Sequence, residues 1–186
     1  MLPFRRLHGD IVKNASATEK LMGMSDDVWA RHTNPWSGWS RLSAFPLIAL
    51  AAWSRIWIGY WAIGLGIAVG FWIWINPRLF PAPKYTDNWM SRGVLGERVW
   101  LNRKMVPVPR TYVFSGFLLN GLAGLAALGF LFGLMVLHLP TTIIGMLISM
   151  AAKLCFVGMV GRLYDKMAVT HPPYRAWMRR RPKPPG

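Results

Sequence analysis

Side chains that could transfer a proton or bind a phosphate are concentrated in two short polar stretches of the sequence. They are His32, Asn34, Arg41, Asp87, Asn88, Arg92, Glu97 and Arg98. His32 and Glu97 are the candidate acid or base. The arginines Arg41, Arg92 and Arg98 are candidate ligands for an anionic lipid headgroup. Because their spacing defines no catalytic geometry, anchoring at a membrane interface is the favoured interpretation, and catalysis is the alternative.

Metal and cofactor chemistry find no support in the sequence. The other histidines form no ligand pair with His32, and Cys155 is the only cysteine, so we predict no metal site, no intrachain disulfide and no cofactor. Gly93 and Gly96 could cradle a phosphate with their backbone, but no predicted strand precedes them, as a dinucleotide site would require.

Lys153 is the most informative single residue, because it lies within a long apolar block. It is about 16 Å from the end of that block if the block ends at Tyr164. A lysine at the centre of a membrane span disfavours insertion by roughly 2.5–3.5 kcal/mol, so its side chain should face other helices. Asn120 falls at a similar depth, and we predict that it accepts a hydrogen bond from Lys153. The pair either orients a helix or forms a polar pocket for an anionic lipid or a cofactor group.

The composition places these residues on membrane helices. The chain of 186 residues is 53% hydrophobic, with a mean hydropathy of +0.28 and a formal net charge of +15. The apolar residues form long blocks, which predict an all-α integral membrane bundle of four transmembrane helices in two hairpins. The predicted spans are 36–54, 57–75, 112–137 and 141–163. A single helix over 36–75 would be about 60 Å long, twice the thickness of the hydrocarbon layer, so we expect a turn near 54–57.

The distribution of charge predicts the orientation. Lys and Arg number six in residues 1–41, seven in 76–110 and seven in 162–186, and the remaining two of the 22 are Arg55 and Lys153. All three basic segments can therefore face the cytoplasm at once, as the positive-inside rule requires. This predicts a multi-pass protein of the cell inner membrane with cytoplasmic N- and C-termini. Nucleic acid is not an expected partner, because the basic residues flank apolar spans instead of forming one surface.

Three regions are expected. Residues 1–35 form a cytoplasmic N-terminal region, with a short helix that begins at Ser25 or Asp26 and stops at Asn34-Pro35. Residues 36–166 form the membrane domain, with a cytoplasmic loop at 76–110. Residues 167–186 form a basic, proline-rich tail that we expect to be mobile. Glycines should allow close helix packing in the last three spans. They are Gly66, Gly70, Gly129, Gly133, Gly158 and Gly161.

Three strings carry a resemblance to a known family. They are WARHTNPWSGWSR at 29–41, NPRLFP at 76–81 and WMSRGVLGERVW at 89–100. They look like those of a prokaryotic family of small membrane proteins catalogued only as a domain of unknown function. The resemblance spans roughly residues 27–166. It implies an intact membrane fold and supplies no activity, substrate or catalytic residue.

The leading functional hypothesis is a non-catalytic accessory or interaction component. Its expected partners are the lipid bilayer, anionic lipid headgroups, and a membrane-protein partner or a second copy of itself. The first alternative is a membrane enzyme that acts on a lipid headgroup or an isoprenoid at the cytoplasmic face. Convergence of His32 and Glu97 to within about 4–8 Å beside a cavity would favour the enzyme, since proton transfer needs near contact. The second alternative is a small transporter or channel built around Lys153.

Overall fold

A computed structural model of the chain describes residues 26–182, and its regular elements over that range are helical. Most of the expected N-terminal region therefore lies outside the described residues. The α-helices are α1 Asp26–His32, α2 Pro35–Leu42, α3 Ala44–Ile58, α4 Ala62–Leu79, α5 Trp89–Leu101, α6 Arg110–Met135, α7 Leu139–Thr170 and α8 Pro172–Arg175. Two short 3₁₀ turns, Gly59–Trp61 and Asn102–Lys104, follow α3 and α5.

Membrane character is visible in the length and composition of the helices. Three helical segments of the described chain are long and apolar enough to cross a membrane, namely Pro35–Asn76, Arg110–Met135 and Leu139–Thr170. The all-helical, membrane-type fold expected from the sequence is therefore confirmed at this level.

The break between α1 and α2 occurs where the sequence predicts it. The side-chain oxygen of Asn34 accepts a hydrogen bond from the Trp36 backbone N–H at 2.9 Å, and Pro35 occupies the first turn of α2, where its missing N–H costs nothing. The Asn34 amide also donates to the Pro81 carbonyl at 2.9 Å. This bond ties the beginning of α2 to the segment that follows α4.

The first apolar segment folds back on itself. The Asn76 amide donates to the Ser40 hydroxyl at 2.8 Å, although these residues are 36 positions apart and would be about 54 Å apart in a straight helix. The reversal lies at Gly59, whose φ of 55° is favourable for glycine. The expected turn at 54–57 is therefore wrong. Both Ser54 and Arg55 remain helical, with the Ser54 hydroxyl donating to the Ala51 carbonyl at 2.7 Å.

The second hairpin consists of α6 and α7, which pack closely. A Cβ atom on Gly145 would lie 2.5 Å from the Phe130 nitrogen, and one on Gly133 would lie 2.5 Å from the Thr142 nitrogen. The turn between the helices includes Leu137, with a φ of 56°. Helix α7 then continues to Thr170, well past the expected end of the fourth span at 163.

Arg55 joins the two hairpins at their turns. Its Nη2 donates to the carbonyls of Leu134 and Met135 at 2.7 and 2.8 Å. These carbonyls lie at the end of α6, where an α-helix leaves its acceptors without partners. The turn of the first hairpin therefore lies beside the turn of the second.

The expected loop at 76–110 contains a buried helix, α5, which packs against α7. Asn88 begins α5 by accepting a hydrogen bond from the Ser91 N–H at 2.9 Å. A Cβ atom on Gly96 would lie 1.8 Å from the Val160 carbonyl oxygen, and one on Gly93 would lie 2.3 Å from a Val157 methyl carbon. These glycines therefore bring two helix backbones together, which leaves them no role as a phosphate cradle.

An apolar core surrounds α5 and the second half of α7. Its members are Leu95, Val99, Trp100, Val106, Phe156, Met159, Val160, Leu163, Tyr164, Met167 and Tyr174. Of the glycines expected to pack, Gly133 and Gly161 have backbone neighbours, whereas Gly66, Gly70 and Gly129 face open space. Close packing through glycine thus joins α7 to α5 and α6.

The described part of the tail is docked, so the expectation of a mobile tail is wrong for those residues. The Tyr164 hydroxyl donates to the carbonyl of the buried Tyr174 at 2.8 Å. The Thr86 N–H donates to the Arg179 carbonyl, and the Arg179 N–H donates to the Thr86 hydroxyl, both at 2.8 Å. The tail therefore returns to the segment between α4 and α5.

Candidate functional site

Four ionisable side chains from four different helices form two contact pairs beside the first hairpin. They are His32 of α1, Arg41 of α2, Glu97 of α5 and Lys153 of α7, and we call them the charge cluster. Arg41 Nη1 lies 2.8 Å from His32 Nδ1 and also contacts His32 Nε2. Lys153 Nζ donates to Glu97 Oε1 at 3.2 Å. Electrostatic interactions link the two pairs. Glu97 lies within electrostatic range of Arg41, and Lys153 lies within electrostatic range of His32.

His32 is neutral in this setting. Arginine has only donors, so the ring nitrogen that faces Arg41 has to accept and cannot carry a proton. Burial, followed by the positive charges of Arg41 and Lys153, lowers the pKa of His32 from 6.5 to about 3. A general base works best with a pKa near the working pH, so this histidine is poorly suited to proton transfer near neutrality.

The low pKa of His32 predicts a loss of stability in mild acid. An unfolded chain takes up a proton on His32 below pH 6.5, and the folded protein does not until about pH 3. The free energy of unfolding is therefore unaffected by this group above pH 6.5 and decreases as the pH falls below that value. Between pH 7 and 5 we expect a loss of about 1–2 kcal/mol from this group, measured by unfolding in detergent. His32→Gln should remove that part of the loss, and an identical pH profile in the variant would contradict the assignment.

Lys153 pairs with Glu97 and not with Asn120, so the predicted Lys153–Asn120 bond is wrong. The Asn120 amide donates instead to the Gly116 carbonyl of its own helix at 2.8 Å. The Lys153 ammonium also lies 4.8 Å from the centre of the Phe156 ring. The physical reason is the position of α5, which brings a carboxylate to Lys153, and a carboxylate compensates a positive charge better than a neutral amide does.

The remaining predicted arginines, Arg92 and Arg98, lie in different settings from each other. Arg92 pairs with Asp165 at 3.4 Å, and both side chains are exposed. The Arg98 guanidinium stacks on the ring of Trp177 at 4.5 Å and lies 5.5 Å from that of Trp29. The structure therefore brings together His32, Glu97, Arg41 and Lys153, and leaves Arg92 and Asn120 in other contacts.

Sequence reasoning missed Trp29 as part of this region. Its buried ring meets the ring of His32 edge to face, with the ring centres 5.7 Å apart. The available signal was the spacing of three residues on a predicted helix, which places both side chains on one face.

The charge cluster carries an excess of positive charge. Arg41 and Lys153 contribute two positive charges, Glu97 contributes one negative charge, and His32 is neutral. The arrangement therefore suits an anion better than a cation. Within the described residues, no group of three or more His, Cys, Asp or Glu side chains could hold a metal ion.

Comparison with known proteins identifies a protein family. The model of one protein family matches residues 13–183, which extends the resemblance beyond the range of 27–166 expected from the three strings. No curated protein and no solved structure matches the chain.

Proposed function

The chain belongs to DUF6653, a family of unknown function, and on that premise we propose that it is a non-catalytic multi-pass membrane protein that binds anionic lipid headgroups at the charge cluster. In this proposal the chain crosses the inner membrane four times. The segment between the hairpins, the charge cluster and both termini lie on the cytoplasmic side.

The folded-back first segment supports four crossings. The two arms of that segment, 35–58 and 59–79, contain 24 and 21 residues, and about 20 residues are needed to cross a hydrocarbon layer of about 30 Å. Arg55 holds the two hairpin turns side by side. At the opposite end, the Ser91 hydroxyl donates to the Thr33 carbonyl at 2.5 Å, which ties α5 to the beginning of the first hairpin. Arg31, Arg78 and Arg179, one from each basic segment, line one cavity at this second end, as the positive-inside rule requires of a cytoplasmic face.

The observation that carries the proposal is the unbalanced charge of the cluster. Arg41 is half-buried, and Glu97, the carboxylate within electrostatic range of it, is already paired with Lys153, so among the described residues Arg41 has no negative partner of its own. A lipid phosphate is the most abundant anion at the membrane surface, and arginine binds phosphate in a bidentate geometry. We therefore assign a lipid phosphate as the missing counter-charge.

The second candidate function is an enzyme that acts on a lipid headgroup or an isoprenoid. In its favour, Arg41 contacts His32 and lies within electrostatic range of Glu97. Two observations weigh against it, namely the low pKa of His32 and the engagement of Glu97 with Lys153. The same ion pair accounts for a lysine within an apolar helix, so the transporter hypothesis has no specific observation in its favour.

The test measures lipid retention in nanodiscs that contain phosphatidylglycerol and phosphatidylcholine. After extraction into mild detergent, native mass spectrometry counts the phosphatidylglycerol molecules that stay bound. Arg41→Gln removes the excess charge and should lower retention, whereas Glu97→Gln doubles the excess and should raise it. Arg110→Gln, an exposed position at the beginning of α6, is the matched control. Equal retention in all four proteins would overturn the proposal, and turnover of the lipid would establish the enzyme instead.

A further inference from the structure

A second basic site lies apart from the charge cluster, between α1, the end of α4 and the tail. A cavity of about 610 Å³ opens there. It is lined by three arginines from separate parts of the chain, Arg31, Arg78 and Arg179, together with Asp27. Its apolar lining comes from Ala30 and residues 79–82, of which 79–81 belong to the string at 76–81.

The charge of this cavity favours an anion. Three of the lining residues are arginines and one is an aspartate, so the lining carries an excess of two positive charges. These groups come from α1, α4 and the tail, and none of them belongs to the charge cluster. Local sequence spacing therefore does not explain their convergence.

Two of the three arginines are held in place before any ligand arrives. Arg78 Nη1 donates to the Trp74 carbonyl at 2.6 Å, and its guanidinium lies 4.8 Å from the centre of the Trp74 ring. Arg179 Nη1 donates to the Pro83 carbonyl at 3.1 Å, and its backbone is fixed by Thr86. Binding then orders fewer side chains, which lowers its entropic cost.

We propose that this cavity binds a phosphate group and that the docked tail supplies one of the three arginines that hold it. Guanidinium groups match phosphate oxygens in a bidentate geometry, and the guanidinium of each fixed arginine retains donors beyond the one bonded to a carbonyl. Arg78, which lines the cavity, lies two residues after Asn76, where the first apolar segment ends. The cavity is therefore close to the membrane surface, where the phosphate of a lipid and that of a soluble compound could both reach it.

The first arm of the test uses a soluble probe. Inorganic pyrophosphate is titrated calorimetrically into the full chain in nanodiscs of phosphatidylcholine alone. In the double variant Arg31→Gln/Arg78→Gln we expect the affinity to fall about tenfold or more, because two charge-assisted contacts are lost. Ala82→Trp, an exposed position, should lower it by filling the cavity without changing its charge. Arg110→Gln should leave it unchanged.

The second arm covers a lipid source of the phosphate. If pyrophosphate does not bind, the count of retained phosphatidylglycerol should fall in the double variant and in Ala82→Trp, but not in Arg110→Gln. Either pattern supports a phosphate site in this cavity and identifies its source. Pyrophosphate affinity and lipid retention that are both insensitive to these variants would overturn it. Failure of the charge cluster proposal would appear separately, in Arg41→Gln and Glu97→Gln.

Discussion

Gly96→Ala should lower the free energy of unfolding by roughly 1–3 kcal/mol or more, since overpacking a closely packed contact forces the backbone to shift. The added methyl group would lie 1.8 Å from the Val160 carbonyl oxygen and 2.3 Å from its carbonyl carbon. Both are backbone atoms of α7, so no side chain can move aside. The whole of α5 would have to separate from α7, which disrupts the apolar core and the contact between Glu97 and Lys153.

The chain offers a matched control for this variant. Gly121 and Gly129 are also helical glycines, and a Cβ atom on either one meets nothing within 4 Å. Alanine there should leave stability unchanged or raise it by up to about 1 kcal/mol, because alanine favours a helix over glycine. Unfolding of all three variants in detergent, followed by tryptophan fluorescence, tests the contrast. Equal stability of Gly96→Ala and Gly121→Ala would contradict the packing of α5 on α7.

Glu97→Gln should be the most destabilising single change within the charge cluster. It leaves Arg41 and Lys153 without a negative partner, and removal of one member of a shielded ion pair costs more than the pair itself contributes. We expect a loss of about 1–3 kcal/mol, below the value for a fully buried pair, because the Glu97 and Lys153 side chains are 25% and 44% exposed. The double variant Glu97→Gln/Lys153→Met should recover part of this loss.

A double-mutant cycle isolates the interaction. For Glu97 and Lys153 the coupling free energy should be about 1–2 kcal/mol. The exposed pair Arg92 and Asp165 provides the comparison, with Arg92→Gln and Asp165→Asn, and its coupling should stay below about 1 kcal/mol. Similar coupling in the two pairs would mean that Lys153 and Glu97 meet only as a surface contact.

The helical, membrane-type fold could be predicted because it depends on local composition. Blocks of about 20 apolar residues favour membrane helices whatever their neighbours are, and Asn34-Pro35 breaks a helix by local chemistry. The reversal within the first segment also followed from length alone. Its location did not, since Ser54 and Arg55 look like a polar interruption until the α6 carbonyls that bind Arg55 are known.

The residues of the charge cluster could be predicted from the sequence, but their pairing could not. His32, Arg41, Glu97 and Lys153 were all candidates by residue type, but their pairing depends on where α5 lies. That helix mixes charged and apolar residues, and its burial results from glycine contacts with a helix more than 50 residues away. The docking of the tail on Thr86 could not be predicted either, because two hydrogen bonds to one residue leave no periodic pattern in the sequence.

The most direct test of the account is the accessibility of single cysteines in intact cells. In a Cys155→Ala background, Tyr60→Cys and Val136→Cys probe the two hairpin turns, and Lys104→Cys and Ala176→Cys probe the other end. All four positions are exposed. We predict that a membrane-impermeant maleimide labels the first two from outside and the last two only after permeabilisation. Labelling of Tyr60→Cys and Lys104→Cys from the same side would contradict the four crossings.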